Sequence, residues 1–342
     1  MKNMLLVNMI KKYNSICFDD ILLVPNKSNI SSRKSVDISM HGYPFPVVAS
    51  PMDTVCESEM AIAIANEGGI GIIHRYMDKS QQLIELDKSL LSTKNKSNIG
   101  IAIGAMDVFD TDYIESAIKL GCVWFCIDTA NGHNESCIKA VEFLRSSKYP
   151  IKIMAGNVAT AEGFINLATA GADAVRVGIG GGATCTTRLV SGHGVPTLQS
   201  IIDCYEAKKY HGVNTLIVAD GGLKNTGDIV KAFAGGADLV MLGSVLAGTD
   251  EAPGAVIDGF KAFRGMASKD AQISWRGRVS VEEGISGKIQ HKGPVKYIFE
   301  EIKNGIGSGC SYSGVDRLSN LCEYSEYTEV SPQSLRESAP RV

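Results

Sequence analysis

The chain has 342 residues, of which 44% are hydrophobic and 21% are charged, and its formal net charge is −3. This composition excludes a fibrous or disordered chain and indicates a soluble globular protein with a large buried core. The mixed charge leaves no broad basic surface, so we expect no nucleic-acid partner and only local recognition of phosphate groups.

Nine cysteines occur without metal-type CxxC pairs, signal peptide or long apolar stretch. These features together predict free thiols, a cytoplasmic location and no membrane partner. Cys122 and Cys126 are four residues apart in the apolar run CVWFCI, and we interpret both as core residues in preference to metal ligands.

Short β-branched or apolar runs recur along the chain, and each is followed by a helix-compatible segment, which is typical of repeated βα units. There are eight such runs: 47–50, 69–73, 99–104, 123–128, 151–156, 174–180, 215–221 and 239–244. Because these runs are apolar on both faces, they predict buried parallel strands and a (β/α)8 TIM barrel. The alternative, an open doubly wound sheet, normally has a glycine-rich fingerprint after its first strand. None follows VVAS at 47–50.

The remaining segments predict a single barrel domain with three additions. Residues 1–46 form an N-terminal extension, the polar and glycine-rich residues 265–295 form a mobile flap, and residues 296–342 form a C-terminal tail. Helical periodicity is visible at 59–66 and 226–233. The motif Gly-Ala-Asp occurs at 171–173 and 236–238, where we interpret its glycine as a helix stop without catalytic meaning.

The loop after the sixth strand, GIGGGATCTTR at 178–188, has the strongest chemical signal. Its glycines allow unusual backbone angles, so that amides and carbonyls can point inward while Cys185 stays accessible. A cysteine thiolate suits attack on an electron-poor carbon because it is intrinsically nucleophilic. We therefore predict that Cys185 is a nucleophile at the carboxyl ends of the strands.

Two glycine turns follow strands seven and eight, where barrel enzymes commonly bind phosphate on backbone amides. They are Asp220-Gly221-Gly222 and Gly243-Ser244. Asp220 is negative, so we expect it to accept hydrogen bonds from ribose hydroxyls instead. Asp53 and His74 also follow strands, and we interpret both first as structural residues.

The whole chain resembles the IMP dehydrogenase and GMP reductase family. The resemblance is carried by FDDILLVP at 18–25, MDTV at 52–55, AGNVAT at 155–160, GIGGGATCTTR at 178–188, ADGG at 219–222, GSVLAG at 243–248, RGM at 264–266 and SYSG at 311–314. The resemblance implies that Cys185 adds to C2 of a purine nucleotide, that hydride moves between this carbon and a nicotinamide, and that Thr187 and Glu283 relay a proton.

The same resemblance implies further site residues. Substrate contacts are expected at Asp220, Gly221, Gly222, Gly243, Ser244, Arg264, Gly265 and Met266, and cofactor contacts at Asp128, Ala130, Asn131, Gly132 and Asn157. Gly180 and Gly182, with Cys185, match carbonyl positions that bind potassium in the dehydrogenase. The family also implies a homotetramer. Two hydroxyls expected near the substrate are missing, because Ala183 replaces a serine and Phe263 a tyrosine.

Two reactions remain open within this family. No regulatory CBS insertion follows strand two, and residues 265–295 contain no Arg-Tyr pair of the kind with which the dehydrogenase activates water. Both absences favour GMP reductase, which would convert GMP to IMP and ammonia with NADPH. Arg176, the PMDTV stretch and the Gly243-Ser244 turn resemble the dehydrogenase, which oxidises IMP to XMP with NAD. GMP reductase is the leading hypothesis and IMP dehydrogenase the alternative.

Overall fold

The computed structural model describes residues 15–338 and contains a closed barrel of eight parallel strands in sequential order. The barrel strands are β2 (Val47–Ala49), β3 (Ile70–Ile73), β4 (Ile99–Ile103), β5 (Trp124–Asp128), β6 (Lys152–Val158), β7 (Ala174–Val177), β8 (Leu216–Asp220) and β9 (Leu239–Leu242). Pairing of β9 with β2 closes the barrel. The predicted TIM barrel and its eight strands are confirmed.

Two layers of apolar side chains pack on either side of the strands. One cluster fills the barrel interior and includes Trp124, Cys126, Met154, Val218 and Met241. A larger cluster lies between the strands and the outer helices. Burying one aliphatic side chain contributes roughly 1.5–3 kcal/mol, which explains why strands that face apolar surroundings on both sides are made mostly of apolar residues.

Helices surround the barrel. Their bounds are α1 (Ser58–Asn66), α2 (Lys79–Ser92), α3 (Thr111–Leu120), α4 (Glu135–Arg145), α5 (Ala161–Ala170), α6 (Thr187–Ser191), α7 (Thr197–His211), α8 (Thr226–Ala234), α9 (Lys269–Arg276), α10 (Lys296–Ser313), α11 (Leu321–Tyr324) and α12 (Pro332–Glu337). Gly171 and Gly236 have φ angles of 107° and 101°, which non-glycine residues rarely adopt. The glycines of both Gly-Ala-Asp motifs therefore end helices, as predicted.

The C-terminal tail predicted at 296–342 contains part of the barrel itself. Helix α10 packs against α8, and Phe299 makes an edge contact with Phe45 at a centroid distance of 5.3 Å. Lys303 pairs with Glu67, next to the end of α1. Helix α10 is therefore the eighth outer helix. The flap separates it from β9 along the chain, so the βα repeat was not visible in the sequence.

The segment predicted as an irregular flap at 265–295 is largely ordered, and it begins earlier than expected. Strand β10 (Phe260–Arg264) pairs with β11 (Ser286–Gln290) in antiparallel register, and α9 lies between them. Helix α9 buries only Ala271 and Gln272. The segment is short, polar and mostly exposed, and the helix was not predicted from the sequence. We retain the name flap for residues 260–293.

The described residues contain one further sheet and several short helices. Strand β1 (Ile21–Leu23) pairs with β12 (Tyr327–Glu329), so segments near opposite ends of the chain are adjacent. The 3-10 helices are Phe18–Asp20, Arg33–Ser35, Lys96–Asn98, Asp107–Phe109 and Leu318–Asn320. Within residues 15–338, none of the helices combines the length and apolarity that a membrane span requires. The parts of the predicted extension and tail at 1–14 and 339–342 lie outside the described residues.

Candidate active site

A cavity of about 440 Å³ opens at the carboxyl ends of the barrel strands and is covered on one side by the flap. Twelve of the predicted site residues line it: Cys185, Thr187, Glu283, Asp220, Gly221, Gly265, Met266, Asp128, Ala130, Asn157, Gly180 and Gly182. This is the end of the barrel at which the sequence placed the chemistry.

Residues 178–186, which we call the Cys185 loop, are held in one conformation by their own backbone and by Arg188. The amide of Cys185 donates to the Gly182 carbonyl at 3.0 Å, and Arg188 donates to the Val195 carbonyl at 2.8 Å. A Cβ atom at Gly180 would lie 2.6 Å from the Arg188 side chain, and its φ is 80°. Only glycine fits there, so the loop geometry explains at least one glycine of the motif.

Three side chains form a continuous hydrogen-bonded chain across the cavity. The Cys185 thiol donates to Thr187 Oγ1 at 3.2 Å, and the Thr187 hydroxyl donates to Glu283 Oε2 at 2.8 Å. Cys185 and Thr187 belong to the loop after β7, whereas Glu283 belongs to the flap. The arrangement can carry a proton from the thiol to the carboxylate without a rearrangement of side chains.

Backbone pairing fixes the flap against the Cys185 loop. The amide of Thr186 donates to the Glu283 carbonyl at 3.0 Å, and the amide of Ile285 donates to the Thr184 carbonyl at 2.9 Å. Cys185 and Gly284 form an isolated antiparallel bridge. The position of the Glu283 carboxylate is therefore set by main-chain contacts on both sides of it.

A buried arginine contacts two of the carboxylates that line the cavity. Arg176, on β7, contacts Asp128 at 2.6 Å and Asp220 at 2.9 Å. A Cβ atom at Gly156 would lie 2.6 Å from Arg176 Cβ, so a glycine is needed where these two strands pack. Asn157 also donates to Asp220, at 2.8 Å.

The same cluster controls the ionisation of Asp128. Burial alone would raise the pKa of this carboxyl group, but Arg176 and Arg75 outweigh burial and hold the pKa below its usual range. Burial likewise disfavours the charged form of Arg176, yet Asp220, Cys126 and Asp128 raise its pKa well above the usual value. Asp128 and Arg176 are therefore both charged at neutral pH.

Arg264, predicted to contact the substrate, does not line the cavity and pairs with Asp53. Its Nε and Nη2 donate to Asp53 Oδ2 at 3.0 and 2.5 Å. At the other end of the flap, Lys292 donates to the carbonyls of Ser244 and Val245 at 2.7 and 2.9 Å. Cationic side chains therefore attach both ends of the flap to loops of the barrel.

Five other predicted residues lie beside the cavity wall. Gly243 adjoins Met52 and Ser50, Gly222 adjoins Gly181, and Gly132 adjoins Gly156. Ser244 adjoins Gly243 in the turn that Lys292 holds, and Asn131 accepts a hydrogen bond from the amide of His133 at 3.1 Å.

Several cavity residues had no predicted role: Arg75, Tyr76, Gln272 and Trp275. Arg75 closely follows the second predicted strand, so its position in the cavity could have been expected from the sequence. Trp275 lies on α9, a helix that was not predicted from the sequence. His74 is buried, with Nε2 2.9 Å from Glu57 and Nδ1 accepting the amide of Tyr76. This environment supports the structural interpretation of His74.

The cysteines behave as predicted. All nine are free, and Cys122 and Cys126 are buried in the core. Across residues 15–338, no group of three histidine, cysteine or acidic side chains is arranged to hold a metal ion. Potassium, which would use backbone carbonyls at Gly180, Gly182 and Cys185, stays a prediction.

Comparison with known proteins identifies the family. Residues 15–341 match the model of the IMP dehydrogenase / GMP reductase domain. The chain is 34% identical to inosine-5'-monophosphate dehydrogenase of Borreliella burgdorferi, with 95% of this chain and 96% of that protein covered. It is 35% identical to GMP reductase of Ascaris suum, with 93% of each chain covered.

A solved structure gives the same result. The fold superposes on a cysteine-to-alanine variant of GMP reductase from Trypanosoma brucei in complex with guanosine 5'-monophosphate, with a TM-score of 0.88 and 28% identity over 98% of this chain and 99% of that one. Relatives at this level of identity have both names, so the comparisons establish the family and leave the reaction open. The chain belongs to the IMP dehydrogenase and GMP reductase family of oxidoreductases.

Proposed function

We propose that this protein is a GMP reductase that converts GMP to IMP and ammonia with NADPH. The observation that carries the proposal is the hydrogen-bonded chain from Cys185 through Thr187 to Glu283. A reductase needs to deliver a proton to the departing amino group, and this chain ends in a carboxylate that can hold and return one.

Cys185 is the nucleophile in this mechanism. Its S–H bond breaks as a bond forms between Sγ and C2 of the purine, and the proton passes through the Thr187 hydroxyl to Glu283. The C2–N bond to the amino group then breaks, and the proton held by Glu283 leaves with ammonia. The product of this half-reaction is a thioimidate between Cys185 and the purine.

The second half-reaction needs a nicotinamide, and the cavity has room for one beside Asp128, Ala130 and Asn157. A reduced nicotinamide held there would supply the hydride that C2 needs, and Cys185 would then leave C2 as the thiolate. Overall, GMP, NADPH and two protons give IMP, NADP⁺ and ammonium. The flap excludes water from this half-reaction, which protects the thioimidate from hydrolysis.

The substrate half of the cavity fits a nucleotide. Within the described residues, Asp220 uses Oδ2 for Arg176 and Asn157, while its Oδ1 accepts no hydrogen bond from the protein. Oδ1 can therefore accept from a ribose hydroxyl. We assign phosphate binding to the backbone of Gly221, Gly222, Gly243 and Ser244, and contact with the base to Gly265 and Met266. Arg264 acts through Asp53 in placing these flap residues.

The flap geometry favours the reductase over the dehydrogenase. The Thr187 hydroxyl is engaged by Glu283, and the Arg276 guanidinium lies 4.0 Å from the Trp275 ring centroid, in a stack of side chains instead of an Arg-Tyr pair. Between β3 and β4, residues 74–98 hold only α2 and one 3-10 helix, so there is no CBS insertion at this point.

The deciding experiment follows nicotinamide absorbance with purified protein and potassium present. GMP with NADPH, GMP with NADH, and IMP with NAD⁺ are tested in parallel. We expect oxidation of NADPH that depends on GMP. Reduction of NAD⁺ with IMP would overturn the proposal and direct attention to Arg276 or Arg278 as the residue that activates water.

A further inference from the structure

The flap helix α9 contacts the barrel through an aromatic pair on the cofactor side of the cavity. The Trp275 ring lies 5.2 Å from the Tyr76 ring at an interplanar angle of 71°, and the Tyr76 hydroxyl donates to Asp128 at 3.1 Å. Edge-to-face contacts of this kind stabilise an aromatic pair beyond the burial of its apolar surface. The position of Trp275 is therefore tied to the residue predicted to lie near the nicotinamide.

Two guanidinium groups also contact the indole. Arg276 lies 4.0 Å and Arg75 lies 5.6 Å from its ring centroid. Cation-π contacts restrain both partners, because the attraction depends on the position of the cation over the ring. Trp275 is therefore held in one orientation, and so is its N–H group.

Two donors of this cluster, the Trp275 N–H and the Arg276 guanidinium, have no acceptor among the described residues. Trp275 Nε1 is buried, and no hydrogen-bond partner for it exists among residues 15–338. An indole nitrogen can only donate, and a buried donor without a partner is destabilising. Arg75 shares its charge with Asp128 at 3.3 Å, whereas Arg276 has no carboxylate within 4.0 Å in the part of the chain described. An oxyanion is the ligand that satisfies both groups.

We propose that Trp275 and Arg276 bind a phosphate group of the nicotinamide dinucleotide. The assignment rests on the proposed function for the identity of the ligand. The phosphate of the substrate is assigned to turns after β8 and β9, while Trp275 and Arg276 line the cavity together with Tyr76 and Asp128 on the cofactor side. The positive charge and the fixed N–H group match a phosphate oxygen better than they match a neutral ring.

Two phosphates of the cofactor have this chemistry, the pyrophosphate and the 2'-phosphate. Calorimetric titration of NADP⁺ and NAD⁺ into protein saturated with GMP separates them, and this mixture cannot turn over because no hydride donor is present. We compare the wild type with Trp275→Phe, which keeps the ring and removes the N–H, and with Arg276→Met. The matched control is Arg278→Met, an exposed arginine two residues along that does not line the cavity.

Both test variants should raise the Kd for NADP⁺ by about 10-fold, the effect of losing one hydrogen bond to a charged group. Arg278→Met should change it by less than about 2-fold. An equal rise in the Kd for NAD⁺ assigns the pyrophosphate, and a rise for NADP⁺ alone assigns the 2'-phosphate. An unchanged Kd in both test variants, with GMP binding intact, overturns the inference.

Tryptophan fluorescence provides a second readout. The chain has two tryptophans, and Trp124 is buried inside the barrel. NADP⁺ should quench the emission of Trp275 by contact, and Trp275→Phe should remove this quenching. Neither measurement requires turnover. If wild-type protein binds NADP⁺ but does not reduce GMP, the proposed function fails while this inference stands.

Discussion

The two ends of the barrel use aspartate in different ways. At the amino ends of the strands, Asp173 accepts the amide of Ile153 and Asp238 accepts the amide of Ile217, each at 2.7 Å. At the carboxyl ends, Asp128 and Asp220 contact side chains, chiefly those of Arg176 and its neighbours. Carboxylates bonded to a neighbouring strand stabilise the fold. Of the two carboxylates held by side chains, Asp220 keeps Oδ1 free of hydrogen bonds from the described residues, so this oxygen is available for a ligand.

Mutations at the carboxyl ends of the strands should mainly lower the rate of the reaction, and Cys185→Ala should have the largest effect. Loss of the nucleophile should lower kcat by about 10⁴-fold or more. The Kd for GMP, measured by calorimetry, should stay within about 2-fold of wild type, because the thiol contributes little to ground-state binding. Turnover near the wild-type rate would contradict both the mechanism and the comparison.

Glu283→Gln sharpens the same point at a residue of the flap. The amide can still hydrogen-bond to Thr187 but cannot hold a proton, so kcat for GMP should fall by roughly 10²–10⁴-fold with little change in KM. Glu282→Gln is the matched control, because Glu282 is the exposed neighbour and does not line the cavity. Equal losses of kcat in the two variants would show that the charge of the flap determines the rate, and that proton transfer by Glu283 does not.

At the amino end, Asp238→Asn should lower stability without affecting chemistry. Asp238 contacts Lys208 at 2.7 Å and His41 at 2.6 Å in addition to the Ile217 amide. Breaking this buried pair should lower the free energy of unfolding by about 3 kcal/mol, measured by denaturant titration. A variant with normal stability, or with a large loss of kcat at unchanged stability, would break the comparison.

The pH dependence of stability has a defined sign at this residue. Burial raises the pKa of Asp238, but hydrogen bonding to His41 and the charge of Lys208 more than compensate and lower it. A lowered pKa in the folded state gives stability that is present above the unfolded value, about 3.9, and is lost as the pH falls through the folded pKa. Acid unfolding of Asp238→Asn should lack this component.

The smallest effect is expected for Asp173→Asn. Asp173 occupies the equivalent position in the first Gly-Ala-Asp motif, and it pairs with Arg145 in a more exposed setting. Its replacement should cost about 1 kcal/mol of unfolding free energy. A loss as large as that of Asp238→Asn would show that burial does not set the difference between the two motifs.

The sequence predicted the barrel well because the apolar runs of buried parallel strands require no knowledge of distant contacts. It also placed Cys185, Thr187 and Glu283 at one end of the barrel, where the structure brings them together, and their catalytic roles stay predictions. It could not show contacts between residues far apart in the chain. The contact of Arg264 with Asp53 is one of these, and substrate binding by Arg264 stays a prediction.

The same limit explains the missed flap helix and the unassigned Trp275. Helix α9 is short, polar and mostly exposed, and the contact of Trp275 with Tyr76 joins segments that are far apart in sequence. The ionic cluster of Asp128, Arg176 and Asp220 likewise connects three different strands. Such arrangements become visible only after the barrel has closed.

The pairing of β1 with β12 has a consequence for synthesis of the chain on the ribosome. Residues 21–23 find their sheet partner only at residues 327–329, which follow all eight barrel strands in the chain. During translation, the backbone groups of β1 therefore remain unpaired while strands β2 to β9 can already assemble. Docking of β1 should be a late step in folding, which follows closure of the barrel.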